Sequence, residues 1–118
     1  MNHLYIVRGL PGSGKSTFAR KICGAVVEAD QFFERNGRYE FNPSLLKEAH
    51  EWCYNSVAML LAEGDVAVAN TFTQIWEMQR YLDLPNPKTV ITVEGDHGSI
   101  HNVPDEAIMK MANRWQMY

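Results

Sequence analysis

The sequence predicts an α/β fold in which a parallel sheet of about four strands lies between two layers of helices. Two observations support this prediction. Short apolar runs typical of buried strands alternate along the chain with segments of helical periodicity, and parallel strands need crossover helices of this kind. A glycine-rich segment also stands between the first apolar run and the first helical segment. The expected architecture therefore has three layers, with the glycine-rich segment at an edge of the sheet.

The first predicted strand covers residues 3–7, which read HLYIV, and it leads into the glycine-rich segment. That segment, residues 9–17, reads GLPGSGKST and fits the phosphate-binding pattern G-x-x-x-x-G-K-[ST] at every fixed position. Glycines allow the loop to curl with its N–H groups pointing inward, and the start of the following helix favours negative charge. We therefore predict a P-loop that binds the phosphates of a nucleotide.

Two polar residues of the P-loop have specific expected roles. Lys15 reaches the β- and γ-phosphates, and the hydroxyl of Ser16 is placed to ligate Mg²⁺. ATP and Mg²⁺ are therefore the expected cofactors, although no local signature separates ATP from GTP. The predicted nucleotide-binding residues are Gly9, Gly12, Ser13, Gly14, Lys15, Ser16 and Thr17.

A second strand over residues 25–29 is expected to deliver Asp30 at its carboxyl end, where open α/β sheets place their ligands. A carboxylate there can act as a catalytic residue beside Lys15 by accepting the proton of an acceptor hydroxyl, or it can order the water ligands of Mg²⁺. The alternative interpretation is an aspartate that caps a turn or a helix.

The dipeptide Asn36-Gly37 predicts a small β-hairpin, because strand-like segments flank it on both sides. Arg35 and Arg38 bracket the tip of this hairpin on the expected acceptor side. Two interpretations are open for them. They hold the phosphates of a nucleic-acid or nucleotide acceptor, or they are solvated turn charges.

The rest of the chain continues the alternation of helices and strands. Asn70 and Thr71 follow the third strand, where P-loop proteins often carry an aspartate that organises the metal, and we expect them to contact substrate or metal-bound water. Trp52, Trp76 and Trp115 have helical core spacing and are expected to be packing residues. The remaining predicted elements are a helix from Pro43 to Gly64, a strand over 66–69, a helix over 73–82, a strand over 89–93 and a last helix that begins at Pro104.

Length and composition restrict the class of protein. The 118 residues suffice for one domain with a modest core, so we expect a single nucleotide-binding domain over residues 1–118. At a net charge of −3, any contact with nucleic acid depends on a local basic patch. Cys23 and Cys53 lack CxxC spacing and are expected to be reduced thiols of a cytoplasmic protein. No apolar run approaches the roughly 18 residues of a membrane span, so no membrane partner is expected.

With these motifs in place, the chain resembles the polynucleotide 5′-kinase group of P-loop kinases, which includes zeta-toxin-like proteins. The resemblance implies a sheet of strand order 2-3-1-4 with the acceptor cleft opposite the nucleotide. It also implies that Asp30 is the general base that activates a 5′-hydroxyl. The segments that carry it read RGLPGSGKSTFAR, EADQFFERNGRYEFNPSLLKEAHEWC, ANTFTQIWEM and HNVPDEAI, and they span nearly the whole chain.

The chain departs from this group in two places. Relatives usually read D-N-T-N or D-T-N after the third strand, whereas residues 69–72 here read ANTF, so a carboxylate and an amide are missing. Relatives also carry a longer lid with arginines, whereas residues 95–103 fill that gap here without a lysine or arginine. A lid arginine can contribute about 10³–10⁵-fold to the rate. The departure implies slow chemistry, or a cation from Arg80, Arg114 or a second subunit of a homo-oligomer.

Three functions remain open at this point. The leading hypothesis is a small ATP-dependent kinase whose acceptor is a polynucleotide 5′-hydroxyl. A kinase for a nucleoside, nucleotide or sugar nucleotide is the alternative among enzymes. A non-catalytic nucleotide-binding module is the alternative from another class; the missing acid and short lid favour it, whereas the intact Lys15, Ser16 and Asp30 oppose it.

Overall fold

A parallel four-stranded sheet with helices on both faces forms the body of the protein. The computed structural model describes residues 1–35, 37–95 and 105–118, and of Arg35 and Asp105 it describes the backbone alone. The strands are β1 (Leu4–Arg8), β2 (Val26–Val27), β3 (Glu34–Arg35), β4 (Arg38–Tyr39), β5 (Val66–Asn70) and β6 (Lys88–Thr92). The helices are α1 (Lys15–Ile22), α2 (Leu46–Leu61), α3 (Ile75–Leu82) and α4 (Asp105–Asn113), with short 3-10 helices at Ala29–Phe33 and Pro43–Leu45.

The sheet strands lie in the order β2-β5-β1-β6, and each neighbouring pair is parallel. Counted among the sheet strands alone, this is the order 2-3-1-4, so the order implied by the family resemblance is confirmed. At the end of β1, Arg8 lies opposite Asn70 of β5 and Thr92 of β6. Because parallel strands end at the same edge, the segments that follow β1, β2 and β5 meet there.

The two faces of the sheet bury different helices. Leu4 and Ile6 of β1 belong to a core cluster that includes buried residues of α2 and α3. Val7 points to the other face and packs with Ala19 of α1. The alternation follows from the two-residue period of a strand, and it confirms the predicted three-layer α/β fold.

The predicted β-hairpin is also confirmed. β3 and β4 pair antiparallel, with Glu34 opposite Tyr39 and Arg35 opposite Arg38. Gly37 has a φ of 77°, a left-handed conformation that favours glycine at such a turn. Asn36, the other residue of the turn signal, lies outside the described residues.

The predicted extent of the second strand is wrong, because β2 ends at Val27. The main-chain N–H of Glu28 donates to Oε1 of Gln31 at 3.2 Å, and the Glu28 carbonyl accepts from the Gln31 N–H at 3.1 Å. These two bonds turn the chain into the 3-10 helix Ala29–Phe33. Asp30 therefore lies within that short helix and not at the end of a strand.

The prediction that all three tryptophans are core residues is wrong for Trp76, which is 71% exposed. The buried residues of α3 are Met78 and Tyr81, and a residue two positions before Met78 points to the opposite side of the helix. Trp52, which is 37% exposed, is not a core residue either; its ring lies beside Phe32, with ring centroids 6.2 Å apart. Trp115 follows the end of α4, and its environment belongs to the functional edge described below.

Residues 95–103, the short segment expected in place of a longer lid, lie outside the described residues except for Gly95. Both cysteines are free thiols, as predicted. Across the described ranges, none of the helices combines the length and apolar character needed to cross a membrane.

Candidate nucleotide-binding site

The loop between β1 and α1 has the curled backbone that the glycine pattern predicts. Gly12 has a φ of 83° and Gly14, the N-cap of α1, has a φ of 90°. The first intrahelical bond of α1 runs from the Phe18 N–H to the Gly14 carbonyl at 2.9 Å. The N–H groups at the beginning of α1 therefore have no acceptor in the preceding turn and suit an anion such as a phosphate.

Gly9 is required for a different reason, namely close packing. A Cβ added there would lie 2.8 Å from the carbonyl oxygen of Val93 and closer still to Oγ of Ser13. Ser13 is 3% exposed, and its Oγ has no hydrogen-bond partner among the described residues. Its N–H donates to the Leu10 carbonyl at 3.0 Å and so closes the first turn of the loop.

Lys15 begins α1 and is the cation of the loop. Burial lowers the pKa of its ammonium group, whereas the negative charges of Glu28 and Asp30 act in the opposite direction. The two carboxylates lie on the segment that follows β2, so the sheet topology brings them to the same edge as the P-loop. A partly desolvated ammonium of this kind binds a phosphate more strongly than a fully hydrated one.

Ser16 lies next to a carboxylate that the sequence analysis did not select. Its hydroxyl donates a short hydrogen bond to Oε1 of Glu28, and Nη1 of Arg20 lies 4.0 Å from the other carboxylate oxygen. The Glu28 side chain is 15% exposed, whereas that of Arg20 is 61% exposed. A hydroxyl beside a carboxylate is the kind of oxygen donor set that Mg²⁺ prefers.

Asp30 lies on the exposed side of the edge and contacts the hairpin. The Tyr39 hydroxyl donates to Oδ1 of Asp30 at 3.3 Å, and burial together with the nearby Asp30 and Glu34 carboxylates raises the pKa of Tyr39 to about 12. This contact links β4 to Asp30, the candidate general base. Arg38, in the same strand, is exposed.

The side chain of Asn70 is buried and forms hydrogen bonds within the protein. Its Oδ1 accepts the Ala29 N–H at 2.9 Å, and its Nδ2 donates to Sγ of Cys53 at 3.6 Å. Asn70 therefore ties the end of β5 to the segment that carries Glu28 and Asp30. Thr71, the second predicted contact residue after β5, is half-buried.

Arg8 is a second residue that the sequence analysis missed. It is fully buried at the end of β1, where its Nε and Nη2 donate to the Phe72 carbonyl at 3.1 and 2.6 Å. Nη2 also donates to the Thr73 carbonyl at 3.2 Å. Phe72 has a φ of 47°, which is a strained conformation for a residue with a large side chain, and these bonds help to hold it.

The end of the chain covers Arg8 and the same loop. The guanidinium carbon of Arg8 lies 4.0 Å from the ring centroid of Trp115, a cation–π contact. Nε of Arg114 donates to Oγ1 of Thr73 at 3.2 Å, and the Gln116 N–H donates to the Thr73 carbonyl at 2.7 Å. Residues 114–116 thus hold the loop that follows β5.

Arg80 is one of the two residues that could replace the missing lid arginines, but its guanidinium contacts other side chains on the protein surface. Its Nη1 donates to Oε1 of Glu51 at 2.9 Å, and its guanidinium stacks 4.0 Å from the ring centroid of Tyr54. The ion pair raises the pKa of Arg80 and lowers that of Glu51. Both partners of Arg80 belong to α2, which packs on the face of the sheet opposite α1.

The strand, the curled glycine loop and the helix that begins at Lys15, carried by a parallel sheet of order 2-3-1-4, define a P-loop nucleotide-binding protein with a kinase-like fold. The chain belongs to the AAA domain family, whose model matches residues 4–100.

A curated relative is NEDD4-binding protein 2 of Homo sapiens, to which the chain is 33% identical over 135 residues. The match covers 98% of this chain and 8% of the human protein, so the chain spans less than a tenth of that relative's length. The matched length exceeds the 118 residues of this chain, so the human protein has residues in this region that the chain lacks.

Solved structures share this fold. One of them is a chain of the Pnkp1/Rnl/Hen1 complex. The match covers 99% of the present chain and 41% of that chain, with a TM-score of 0.65 and 23% identity. A gluconokinase from Sinorhizobium meliloti 1021 matches 98% of this chain and 75% of its own, with a TM-score of 0.64 and 16% identity. At these identities the likeness shows the fold alone.

Proposed function

We propose that the protein is an ATP-dependent kinase that transfers the γ-phosphate to the 5′-hydroxyl of a polynucleotide. The observation that carries this proposal is the placement of Lys15 and Asp30 at one edge of the sheet, close enough for the Asp30 charge to act on the Lys15 ammonium. A cation for phosphates and a carboxylate for the acceptor are the two groups that phosphoryl transfer to a hydroxyl needs.

Each group has a specific role in the proposed reaction. Lys15 and the N–H groups at the beginning of α1 bind the β- and γ-phosphates, and Gly9, Gly12, Ser13, Gly14 and Thr17 shape the loop around them. The oxygens of Ser16 and the nearby carboxylates fit Mg²⁺, which supplies charge neutralisation on the phosphates when it is bound. Asp30 accepts the proton of the attacking hydroxyl, and the Tyr39 hydroxyl orients its carboxylate.

Two features beside Asp30 favour a nucleic-acid acceptor over a small one. The hairpin presents the exposed Arg38 and, at its end, Phe41, which is 49% exposed and packs on Phe33 with ring centroids 5.1 Å apart. A cation for a phosphate and an exposed ring for a base are typical of single-stranded nucleic-acid sites. Arg35 is the proposed partner of Arg38, and Thr71 is the proposed contact from the loop after β5.

The same geometry leaves two other functions to be tested. The gluconokinase neighbour is a small-molecule kinase with the same fold. The absence of an acid at Ala69, together with a segment 95–103 that contains no lysine or arginine, favours a nucleotide-binding module without transfer activity. A homo-oligomer in which a second subunit supplies an arginine would restore transfer. Its activity per molecule would rise with protein concentration.

An acceptor screen with γ-labelled ATP tests the proposal. The acceptors are a 5′-hydroxyl DNA oligonucleotide, the matching RNA, a set of nucleosides, and gluconate, each at several protein concentrations. We expect label on an oligonucleotide and its loss in Asp30→Asn, with ATP affinity nearly unchanged. Glu63→Gln is the matched control, because this exposed carboxylate precedes β5 at the opposite edge of the sheet.

Label on a small acceptor alone would contradict the choice of acceptor. ATP binding without transfer to any acceptor would favour the binding module. Equal rates for Asp30→Asn and wild type would exclude Asp30 as the general base. For the hairpin, the variant Arg35→Ala/Arg38→Ala should reduce the salt dependence of oligonucleotide binding by about one unit of slope per lost phosphate contact. Lys21→Ala, an exposed cation at the far end of α1, should leave that slope unchanged.

A further inference from the structure

The Glu28 carboxylate contacts the serine of the P-loop, and no sequence motif predicts this contact. The Ser16 hydroxyl donates directly to the Glu28 carboxylate. Lys15 and Arg20 are the cations that face this carboxylate, and Arg20 is largely solvated. The Glu28 side chain is 15% exposed, so its carboxylate is largely buried beside the hydroxyl that ligates Mg²⁺ in P-loop proteins.

The register of the sheet explains how Glu28 reaches this position. Val26 lies opposite Ala67 and Val27 opposite Val68, so one further step brings Glu28 beside Ala69. Ala67 and Ala69 belong to the core cluster under α1, and Val26 packs against that cluster. Because side chains alternate along a strand, Glu28 points to the same face of the sheet as Val26 and Ala69. That face carries α1 and Ser16.

This juxtaposition bears on the missing acid after β5. A carboxylate at position 69 would emerge on the α1 face, next to the place that the Glu28 carboxylate takes. Position 69 is alanine here and 1% exposed, so it offers no oxygen to a cation. The neighbouring strand supplies the carboxylate instead.

We propose that Glu28 is the carboxylate that, with Ser16, organises the nucleotide-bound Mg²⁺ in this protein, in place of an acid at the end of β5. The inference rests on the nucleotide binding in the proposed function and does not depend on phosphoryl transfer. Mg²⁺ requires oxygen ligands and keeps several of its waters, so Glu28 holds the ion directly or through one of those waters.

Glu28 also has a structural role that a test must separate from this one. It begins the 3-10 helix Ala29–Phe33 as the first residue of a capping box with Gln31. Glu28→Gln keeps the length of the side chain and one oxygen that can accept a hydrogen bond, while it removes the negative charge. The substitution therefore isolates the electrostatic contribution to cation binding.

The experiment is calorimetric titration of ATP into wild type, Glu28→Gln and the control Glu63→Gln, each in Mg²⁺ and in EDTA. The measured quantity is the ratio of the two affinities. Substitutions around metal ligands typically weaken metal binding by about 10–100-fold, so we expect Glu28→Gln to lower the ratio of the ATP affinity in Mg²⁺ to that in EDTA by this factor. The ATP affinity in EDTA should be unchanged or higher. Glu63→Gln should retain the wild-type ratio.

An unchanged ratio in Glu28→Gln would overturn the inference. If the two affinities fell by the same factor, the ratio would be unchanged and the role of Glu28 would be structural. Failure of the wild type to bind ATP under either condition would instead contradict the proposed function.

A second measurement uses the wild-type protein and so does not depend on the folding of a variant. With ATP present and Mn²⁺ in place of Mg²⁺, the side-chain carboxyl signal of Glu28 in a carbon NMR spectrum should broaden beyond detection. The signal of Glu63 should remain sharp. Equal sharpness of the two signals would overturn the proposal.

Discussion

Two loops leave the same edge of the sheet, and they differ in how their polar groups are used. The P-loop after β1 presents N–H groups at the beginning of α1 that have no acceptor in the preceding turn. The loop over 71–74 after β5 has its carbonyls bound by Arg8 and by the Gln116 N–H. The first loop is therefore suited to an external anion, whereas the second is held by the protein itself.

The two cations of this edge show the same difference. Arg8 is fully buried, and its Nε and Nη2 donate to two main-chain carbonyls and so stabilise the fold, whereas its Nη1 has no hydrogen-bond partner among the described residues. Lys15 is less deeply buried, and the groups that face it are carboxylates of the proposed site. A buried cation whose acceptors are main-chain carbonyls is structural, and a cation between a free helix N-terminus and carboxylates is available to a ligand.

The largest effect on stability is expected from Arg8→Met. The substitution leaves the Phe72 carbonyl buried without its donor, at a residue that already has a strained φ, whereas the Thr73 carbonyl keeps the Gln116 N–H. An unsatisfied buried group costs about 1–3 kcal/mol and the lost cation–π contact with Trp115 adds about 2 kcal/mol, so the free energy of unfolding should fall by about 2–5 kcal/mol. Urea unfolding monitored by circular dichroism measures this change.

The control for Arg8→Met is Lys21→Met, which removes an exposed cation from the end of α1 and should change stability little. If Arg8→Met were as stable as wild type but bound ATP less tightly, Arg8 would belong to the ligand site. The distinction between the two loops would then be lost.

An intermediate effect is expected from Trp115→Ala, which uncovers the Arg8 guanidinium. A desolvated cation–π contact contributes about 2 kcal/mol, and the loss of ring burial adds to it. Trp76→Ala is the matched control, because Trp76 is 71% exposed and should contribute little. Thermal unfolding of both variants measures the difference. Equal melting temperatures would show that residues 114–116 do not stabilise the loop after β5.

The smallest effect is expected from Arg80→Ala. The ion pair with Glu51 is exposed to solvent, and exposed pairs contribute little to stability. Arg80 faces α2 and not the P-loop, so the rate of phosphoryl transfer should also be unchanged. A rate measurement at a fixed acceptor concentration tests this. A large loss of rate would mean that Arg80 supplies the cation that the segment 95–103 lacks.

The P-loop could be predicted from sequence because each of its residues has a local reason to be there. Gly12 and Gly14 adopt left-handed conformations that a local pattern encodes, and Lys15 begins the following helix. The hairpin at Gly37 and the strand order were predicted for similar reasons, the first from a turn signal and the second from family resemblance.

Arg8 and Glu28 could not be selected in the same way, because their partners lie elsewhere along the chain and only the folded sheet brings them together. Arg8 contacts residues 64 and 65 positions away. Glu28 lies inside the predicted second strand, and its partner Ser16 is 12 positions earlier, on the helix that packs on that face of the sheet. One signal was available for Arg8: a charged residue that follows directly on a buried strand run requires internal acceptors.

Calorimetric titration of Mg-ATP into wild type and Lys15→Met is the most direct test of the claim that the P-loop is the ligand-binding loop. We expect the wild type to bind one ATP and Lys15→Met to bind about 10–100-fold more weakly, the range for a lost charge-assisted hydrogen bond. The unfolding free energy should not fall, because burial disfavours the Lys15 charge in the absence of ligand. Equal affinity for ATP in the two proteins would contradict the account.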